Sequence, residues 1–395
     1  MLAPSGMVEA VVGNRPLRVA HLITDLEIGG AEKMLTRLVR TIDRSQMDHL
    51  VISMTRPGPL GDALARDGYD VRSLGMHPGR VDLGAVRRLR HLLRDWRADL
   101  LETWLYHADL LGAVATLGRG APPLMWNLRA SVMDMTRYRR VSGWTRALCA
   151  RLSRLPVIVA ANSEAGVREH AALGYRPKAW RVLPNGVNTD EYAPDAAARA
   201  GLRAELAIDA GSLVVGVAAR VDPMKGHDLL TDVLASWLPA APDVTVVVAG
   251  AGVSWEAADY ARLARRWPAA VARMRLLGPR DDMPAVWNAC DVACAPSHGE
   301  GFPNSVVEAM ATSLPVVVTD VGDSARLVDD PALVVPPRDA AALQRALAMV
   351  ATLPAAERLA LGARSRARAV AEYSIARAAE RYVEAYGEAI ATAHG

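Results

Sequence analysis

The chain has 395 residues, 51% hydrophobic and 23% charged, which are the values of a globular protein long enough for two or three domains. No apolar run approaches the ~20 residues of a membrane-spanning helix, and the three cysteines, Cys149, Cys290 and Cys294, make neither a disulfide framework nor a zinc pattern. The net charge of +3 is uneven, with 27 Lys+Arg against 18 Asp+Glu over residues 1–190 and 19 against 25 beyond, so two units facing different partners are expected; the basic excess lacks the interleaved aromatics of a nucleic-acid surface.

Residues 1–16 lack a basic start followed by an apolar stretch, so no signal peptide is expected and a reducing cytoplasm is the simple reading. Residues 17–24 read as a buried strand, 25–30 as a loop and 31–41 as a helix. Gly29-Gly30 at that junction lets a backbone approach a phosphate, although on its own it is also an ordinary strand–helix turn. No Gly-x-Gly-x-x-Gly is present, so the dinucleotide fingerprint is absent. Further strands are expected at 49–54, 70–74, 100–104, 124–129, 156–161 and 181–184. Helices at 58–67, 83–95, 108–117 and 163–173 alternate with them. This alternation argues for an α/β fold with a parallel, doubly wound sheet, whose ligands sit beyond the carboxyl ends of the strands. His107 and Arg129 lie at two such ends.

Residues 137–155 form a basic amphipathic stretch. Val141, Trp144, Leu148, Leu152 and Leu155 recur at three- and four-residue spacing among Arg137, Arg139, Arg140, Arg146, Arg151 and Arg154. The favoured reading is a surface helix packed on the sheet. The other is contact with an anionic membrane surface or a lipid-diphosphate acceptor.

Residues 189–204 are rich in Ala, Asp and Pro and read as a linker. A second unit opens with an apolar strand at 212–219 that ends in Arg220-Val221-Asp222-Pro223-Met224-Lys225-Gly226, followed by a helix from His227. Two cations at a strand–loop–helix junction suit a diphosphate, arginine as a planar fork and lysine as a mobile point charge. Strands follow at 244–249, 274–277 and 292–296, with a turn at Gly278-Pro279-Arg280-Asp281-Asp282 leading a helix to Ala289. Residues 297–303 form a Gly/Pro loop that carries Glu300 and the chain's single phenylalanine, Phe302. A helix to about Thr312 follows, with Asn304 or Ser305 as its N-cap, then a strand at 316–318. The free N–H groups near Ser305, Val306 and Val307 make an anion site. Glu308 lies one turn inside that helix. A helical path from Glu300 would span about 12 Å, which suits the two ends of a sugar–diphosphate–nucleoside. It suits a glycosidase pair poorly, since that needs roughly 5–9.5 Å. A short strand at 333–335 and helices at 340–353, 355–373 and 375–393 complete the chain. No metal-ligand cluster is visible.

The string Ser-His-Gly-Glu-Gly-Phe-Pro-Asn-Ser-Val-Val-Glu-Ala-Met-Ala from Ser297, followed by Leu-Pro-Val-Val-Val-Thr-Asp-Val-Gly, resembles the donor signature of glycosyltransferase family 4. Arg220 to Gly226 is similar to the family's phosphate site, with Ala219 where glycine is usual. Ile28-Gly29-Gly30-Ala31-Glu32 and Glu102-Thr103-Trp104-Leu105-Tyr106-His107 match two further segments. The resemblance implies a retaining enzyme of GT-B fold, with two Rossmann-like domains facing a central cleft and a C-terminal helix crossing back to the first domain. Residues 1–188 would then bind the acceptor, 189–372 the nucleotide-sugar, and 373–395 would form the returning helix.

It also implies roles. Glu300 lies at the donor sugar, Glu308 holds the ribose hydroxyls, Arg220 and Lys225 hold the diphosphate, and His107 reaches the sugar. Gly29 and Gly30 close over the donor phosphates, Arg280 lies in the turn bordering the base, and Gly301, Phe302, Asn304, Ser305 and Val306 complete the donor site. Arg129 is the candidate acceptor contact. Pro303 stands where many members carry glycine and removes an N–H that could serve the sugar. The implied reaction moves a hexose-type sugar from a UDP-sugar, with a GDP-sugar next in order, to a saccharide or lipid-diphosphate acceptor in bacterial surface polysaccharide or glycolipid synthesis. No cofactor or metal is expected, the nucleotide-sugar being a co-substrate. The implied place is the cytoplasm or the inner face of the plasma membrane. The alternatives are another GT-B enzyme, such as a nucleotide-sugar epimerase or a phosphorylase-like enzyme, and a non-catalytic scaffold subunit.

Overall fold

Strands buried on both faces are what a parallel sheet under two layers of helices demands, and the apolar runs meet that demand. Every residue of Leu100–Trp104 and Leu124–Leu128 is buried, as is every residue of Val244–Ala249 and Val316–Thr319. The structure, a computed structural model, describes residues 15–77, 80, 82–129 and 140–394. It divides into two units, one comprising the chain up to Gly186 and again from Ile375, the other Val187–Ser374.

The first unit holds seven parallel strands: β1 (Leu17–Ile23), β2 (Met47–Ser53), β3 (Asp70–Ser73), β4 (Leu100–Trp104), β5 (Leu124–Leu128), β6 (Ile158–Ala161) and β7 (Trp180–Val182). Their order is β3-β2-β1-β4-β5-β6-β7. The order reverses between β1 and β4, in register from Val19–Leu100 to Ile23–Trp104. The second unit holds six: β8 (Leu213–Ala218), β9 (Val244–Ala249), β10 (Met274–Gly278), β11 (Val292–Ala295), β12 (Val316–Thr319) and β13 (Val334–Val335). Their order is β10-β9-β8-β11-β12-β13, reversing between β8 and β11. Both are doubly wound sheets, and each offers a crevice at the carboxyl ends of its two switch-point strands.

The last helix, Ile375–His394, belongs to the core of the first unit, as expected. Its Ala378, Tyr382, Tyr386, Ala389 and Ile390 pack with Leu35, Leu38 and Trp104. The chain leaves the first unit and returns side by side, for Val187 pairs in parallel with Ser374. Gly186 permits this closeness, since a Cβ there would lie 2.6 Å from Ile375 Cα.

Two expectations need correction. Residues 189–204 are not a bare linker, because Ala196–Glu205 is a helix whose N-cap Asp195 accepts from the backbone of Ala197 and Ala198. An alanine-rich stretch behind an aspartate is a helix start, and the Pro and Asp content masked it. The helix after the Gly/Pro loop starts at Asn304 with Pro303 as N-cap and no side-chain cap, so neither Asn304 nor Ser305 fills that position. In the basic stretch, 137–139 lie outside the described residues, and Arg140–Leu152 is a helix. Its inward face is Thr145 and Cys149, while Trp144 is 79% exposed and Leu148 and Leu155 are exposed with it. Leu152 of the same apolar set packs with Cys149 against the first unit's core, so this is a surface helix packed on that unit, with Trp144, Leu148 and Leu155 left on the outside. No single described helix is long and apolar enough to cross a membrane.

Candidate active site

The densest chemistry stands at the switch point of the second sheet. Beyond β8, Asp222 accepts from the backbone of Met224 and sets a short turn, Pro223–Lys225. Gly226 then takes φ +67°, and a Cβ there would collide with the carbonyl oxygen of Pro296, just beyond β11. The two loops are stitched together by His298 and Gly299, whose backbone N–H groups donate to Met224 O at 2.8 and 3.2 Å. Gly322, at φ +60°, packs against the Glu300 carbonyl so closely that a side chain would not fit. Thr319 Oγ1 donates to Ser297 O at 2.5 Å. Glycine at these two positions is thus a steric requirement of the loop that carries Glu300.

This clamp brings Lys225 and Glu300 together. Lys225 Nζ donates to Glu300 Oε1 at 2.6 Å, and Ser297 Oγ donates to the same oxygen at 2.7 Å. The side chains are 23% and 10% exposed, so the pair is partly desolvated and its charges act strongly on each other. Arg220 is the freer cation, 64% exposed with a 3.4 Å contact to Asp222. Its backbone is fixed: His227 Nε2 lies 2.9 Å from Arg220 O, and His227 Nδ1 lies 2.6 Å from Tyr260 Oη. A carbonyl only accepts, so Nε2 carries the proton and Nδ1 accepts from the tyrosine. Burial lowers the His227 pKa, consistent with that neutral ring.

The Asn304–Ala311 helix points its start at the same loop. Val306 N–H is engaged by Pro303 O at 3.1 Å, and Val306 is buried in the core, as is Phe302, whose ring packs 5.9 Å from that of Tyr373. Phe302 therefore anchors the loop from below. Glu308 is half-buried one turn along the helix. Arg280 follows β10 and is engaged by Asp282 at 2.6 and 2.7 Å and by Glu205 at 3.1 Å. These bonds raise its pKa further and make it a brace between the Gly278–Asp282 turn and the Ala196–Glu205 helix.

Sequence reasoning passed over His298. Its Nε2 lies 2.8 Å from Asp228 Oδ1, its Nδ1 is buried without a partner, and it stands two residues before Glu300. Burial pushes the Asp228 pKa up, but the bond and charge of His298 together with backbone N–H donors outweigh it, and the net shift is downward.

In the first unit, β4 runs into Leu105, whose φ of +73° and ψ of +156° are a costly conformation for a bulky side chain. This kink starts the Tyr106–Ala115 helix abruptly and leaves His107 exposed just past the strand end. Partial desolvation lowers the His107 pKa. Gly29 and Gly30 open the helix after β1, and a Cβ at Gly29 would collide with the Glu32 carboxylate, which folds back over that helix start. Burial raises the Glu32 pKa, and nearby Arg129 pulls it down. Arg129, one residue past β5, is half-buried. His107, Arg129 and the Gly29–Gly30 loop thus follow three neighbouring strands at one end of the sheet.

A cavity of about 560 Å³ lies elsewhere in the second unit. It borders Leu213, Asp291 and Pro315, at the amino ends of β8, β11 and β12, and none of the candidate residues lines it.

Two family models match the chain: Glycosyltransferase Family 4 over residues 28–191 and Glycosyl transferases group 1 over residues 212–352. The chain is a GT-B protein related to these glycosyltransferases. Among its relatives is the lipopolysaccharide core biosynthesis mannosyltransferase LpsB of Rhizobium meliloti, 31% identical over half of this chain and 54% of the relative. The chain thus spans about half the length of that relative. Another is the UDP-Gal:alpha-D-GlcNAc-diphosphoundecaprenol alpha-1,3-galactosyltransferase of Escherichia coli, 24% identical over 79% of this chain and 81% of the relative. The structure of Anabaena Alr3699/HepE in complex with UDP superposes with a TM-score of 0.79 at 23% identity, over 93% of this chain and 99% of that one. At that identity the likeness concerns the fold.

Proposed function

We propose that the protein transfers a hexose-type sugar from a nucleotide-diphosphate donor, a UDP-sugar by preference, to a saccharide or lipid-diphosphate acceptor, with retention of anomeric configuration. The observation that carries this reading is the Lys225–Glu300 pair, held by Gly226 and Gly322 in front of the Asn304–Ala311 helix start. An enzyme that breaks a sugar–phosphate bond must stabilise charge that builds on the leaving diphosphate, which is commonly the largest catalytic contribution. Arg220, Lys225 and the helix start supply it. Lys225 exchanges its bond to Glu300 for one to phosphate as donor arrives, which frees the carboxylate to orient the sugar and face oxocarbenium-like charge. Glu308 takes the ribose hydroxyls, and His107 keeps the sugar role that the family resemblance gives it. With one carboxylate beside the sugar, a leaving phosphate oxygen takes the acceptor proton.

UDP is favoured because the galactosyltransferase relative is named for UDP-Gal and the Anabaena neighbour was crystallised with UDP. A role in bacterial surface polysaccharide or glycolipid synthesis follows from the same relatives. Arg129 is assigned to the acceptor. The outward stripe of Trp144, Leu148 and Leu155, with exposed Arg151 and Arg154, favours contact with an anionic membrane surface. Loss of vesicle binding in Trp144→Ala tests that contact, and equal binding by both proteins would remove it.

The test of the reaction is turnover of UDP-sugars over an acceptor panel, with the anomeric configuration of the first product read by NMR. A product with the donor's configuration supports the proposal. An inverted product refutes retention. Sugar interconversion without acceptor would favour an epimerase, and nucleotide binding without turnover would favour a scaffold.

A further inference from the structure

The first unit contains a buried polar network that the donor chemistry does not use, and it ends on Arg129. The Arg129 guanidinium is held on three sides. Nη1 donates to Tyr382 Oη at 3.0 Å, Nη2 donates to Asn185 Oδ1, and the plane lies over the Trp104 ring, 5.2 Å from its centroid. The holders are themselves fixed. Trp104 and Tyr382 stack with centroids 6.1 Å apart and planes 6° from parallel. Asn127 Nδ2 donates to Tyr382 Oη and to Glu102 Oε1, both at 2.8 Å.

Glu102, fully buried, anchors the whole set. Its Oε2 accepts from Trp104 Nε1 at 3.0 Å and from Tyr386 Oη at 2.7 Å, and lies 2.9 Å from His21 Nδ1. A buried carboxylate is tolerated only with such satisfaction. Tyr382 and Tyr386 stand one turn apart on the last helix, so both reach the same row of side chains across β1, β4 and β5. A single buried tyrosine could be core packing. Here its oxygen receives an arginine that is half-buried at a strand end, with its Nε buried and unpartnered.

We propose that Tyr382, with Asn185, is a positioning residue for Arg129. The two fix the guanidinium as a preset fork, so that its remaining N–H groups meet an acceptor oxygen without first being ordered. The inference rests on the assignment of Arg129 to the acceptor. It gives the returning C-terminal helix a part in acceptor recognition.

The test uses the full chain, UDP-galactose as donor and an N-acetylglucosamine-diphospholipid as probe acceptor. Tyr382→Phe should raise the probe KM about tenfold, the loss of one hydrogen bond to a charged group, with kcat and UDP binding kept. Asn185→Ala should act in the same direction. Added guanidinium should restore transfer to Arg129→Ala and fail to do so in Arg129→Ala/Tyr382→Phe. A wild-type KM in Tyr382→Phe, with Arg129→Ala impaired, would overturn the positioning role and leave the acceptor reading intact. If the probe is not glycosylated, or Arg129→Ala handles it normally, the acceptor reading fails on this probe. Positioning is then decided by ¹⁵N relaxation of the Arg129 side chain: rigid in the wild type and mobile in Tyr382→Phe upholds it, and equal mobility overturns it.

Discussion

Lys225→Ala removes the cation from the Lys225–Glu300 pair and tests the site at the ion pair that joins its two loops. The atoms are 2.6 Å apart with side chains 23% and 10% exposed. Breaking a fully buried pair costs about 3–5 kcal/mol, and an exposed pair is worth about 0–1 kcal/mol. This pair lies between, and Ser297 still donates to Glu300 after the change. The expected loss of stability is therefore about 1–2 kcal/mol. The loss in turnover should be larger, about 10²–10³ in kcat, because a charge facing the leaving diphosphate acts mainly in the transition state. Urea unfolding and steady-state turnover of Lys225→Ala, Glu300→Gln and the double variant separate the two effects. The unfolding cycle should show a coupling of roughly 1 kcal/mol. Additive stabilities together with wild-type kcat in Lys225→Ala would refute both the pair and its phosphate role.

Gly226→Ala should cost about 1–3 kcal/mol, because φ is +67° and the new Cβ meets the Pro296 carbonyl; thermal unfolding measures this, and UDP should no longer raise the Tm. At Leu105 the usual ranking of alanine over glycine should invert. Both substitutions remove everything beyond Cβ, but only glycine also loses the Cβ that makes φ +73° costly, so Leu105→Gly should be the more stable by about 1 kcal/mol in urea. Asp109 is fully buried, and burial raises its pKa well above the ordinary carboxylate value despite the bond from Thr103. A raised acid gives stability that is complete below its unfolded pKa and lost as pH rises through the folded one. Wild-type stability should thus fall relative to Asp109→Asn as pH rises from about 4, by up to about 1.4 kcal/mol per pH unit, and parallel pH profiles would contradict it.

The alternation of apolar runs with helix-period stretches was enough to read the first unit's doubly wound sheet, because its central strands are buried on both faces and leave unbroken apolar runs, whereas the edge strand Asp70–Ser73 is partly exposed; the second sheet followed from the family resemblance. The Arg220–Gly226 and Ser297–Glu308 segments stood out for a local reason, each being contiguous in sequence just past a strand end and leading into a helix. What escaped lies in contacts between distant positions. Glu102, Asn127 and Tyr382 are spread over 280 residues, and no spacing rule links them. The pairing of Lys225 with Glu300, 75 residues apart, needed the adjacency of β8 and β11. The periodic set at Trp144, Leu148, Leu152 and Leu155 does not share one environment: Leu152 turns to the core, Trp144 and Leu148 stay outside, and Leu155 lies past the helix end, a division that spacing alone does not give. Cys149 and Leu152 fill the space against the first unit's core. Phe302 resembled a donor contact because it stands in the signature loop, while its ring serves the core against Tyr373.

The central claim is that the second unit is a nucleotide-sugar site, and equilibrium binding of UDP tests it most directly. UDP should raise the Tm, a stabilisation of about 2.7 kcal/mol at a hundredfold excess over Kd. The shift should persist in chelator and vanish in a folded Glu308→Ala variant. A folded wild-type protein that binds neither UDP, GDP nor ADP, nor any of their sugars, would contradict it.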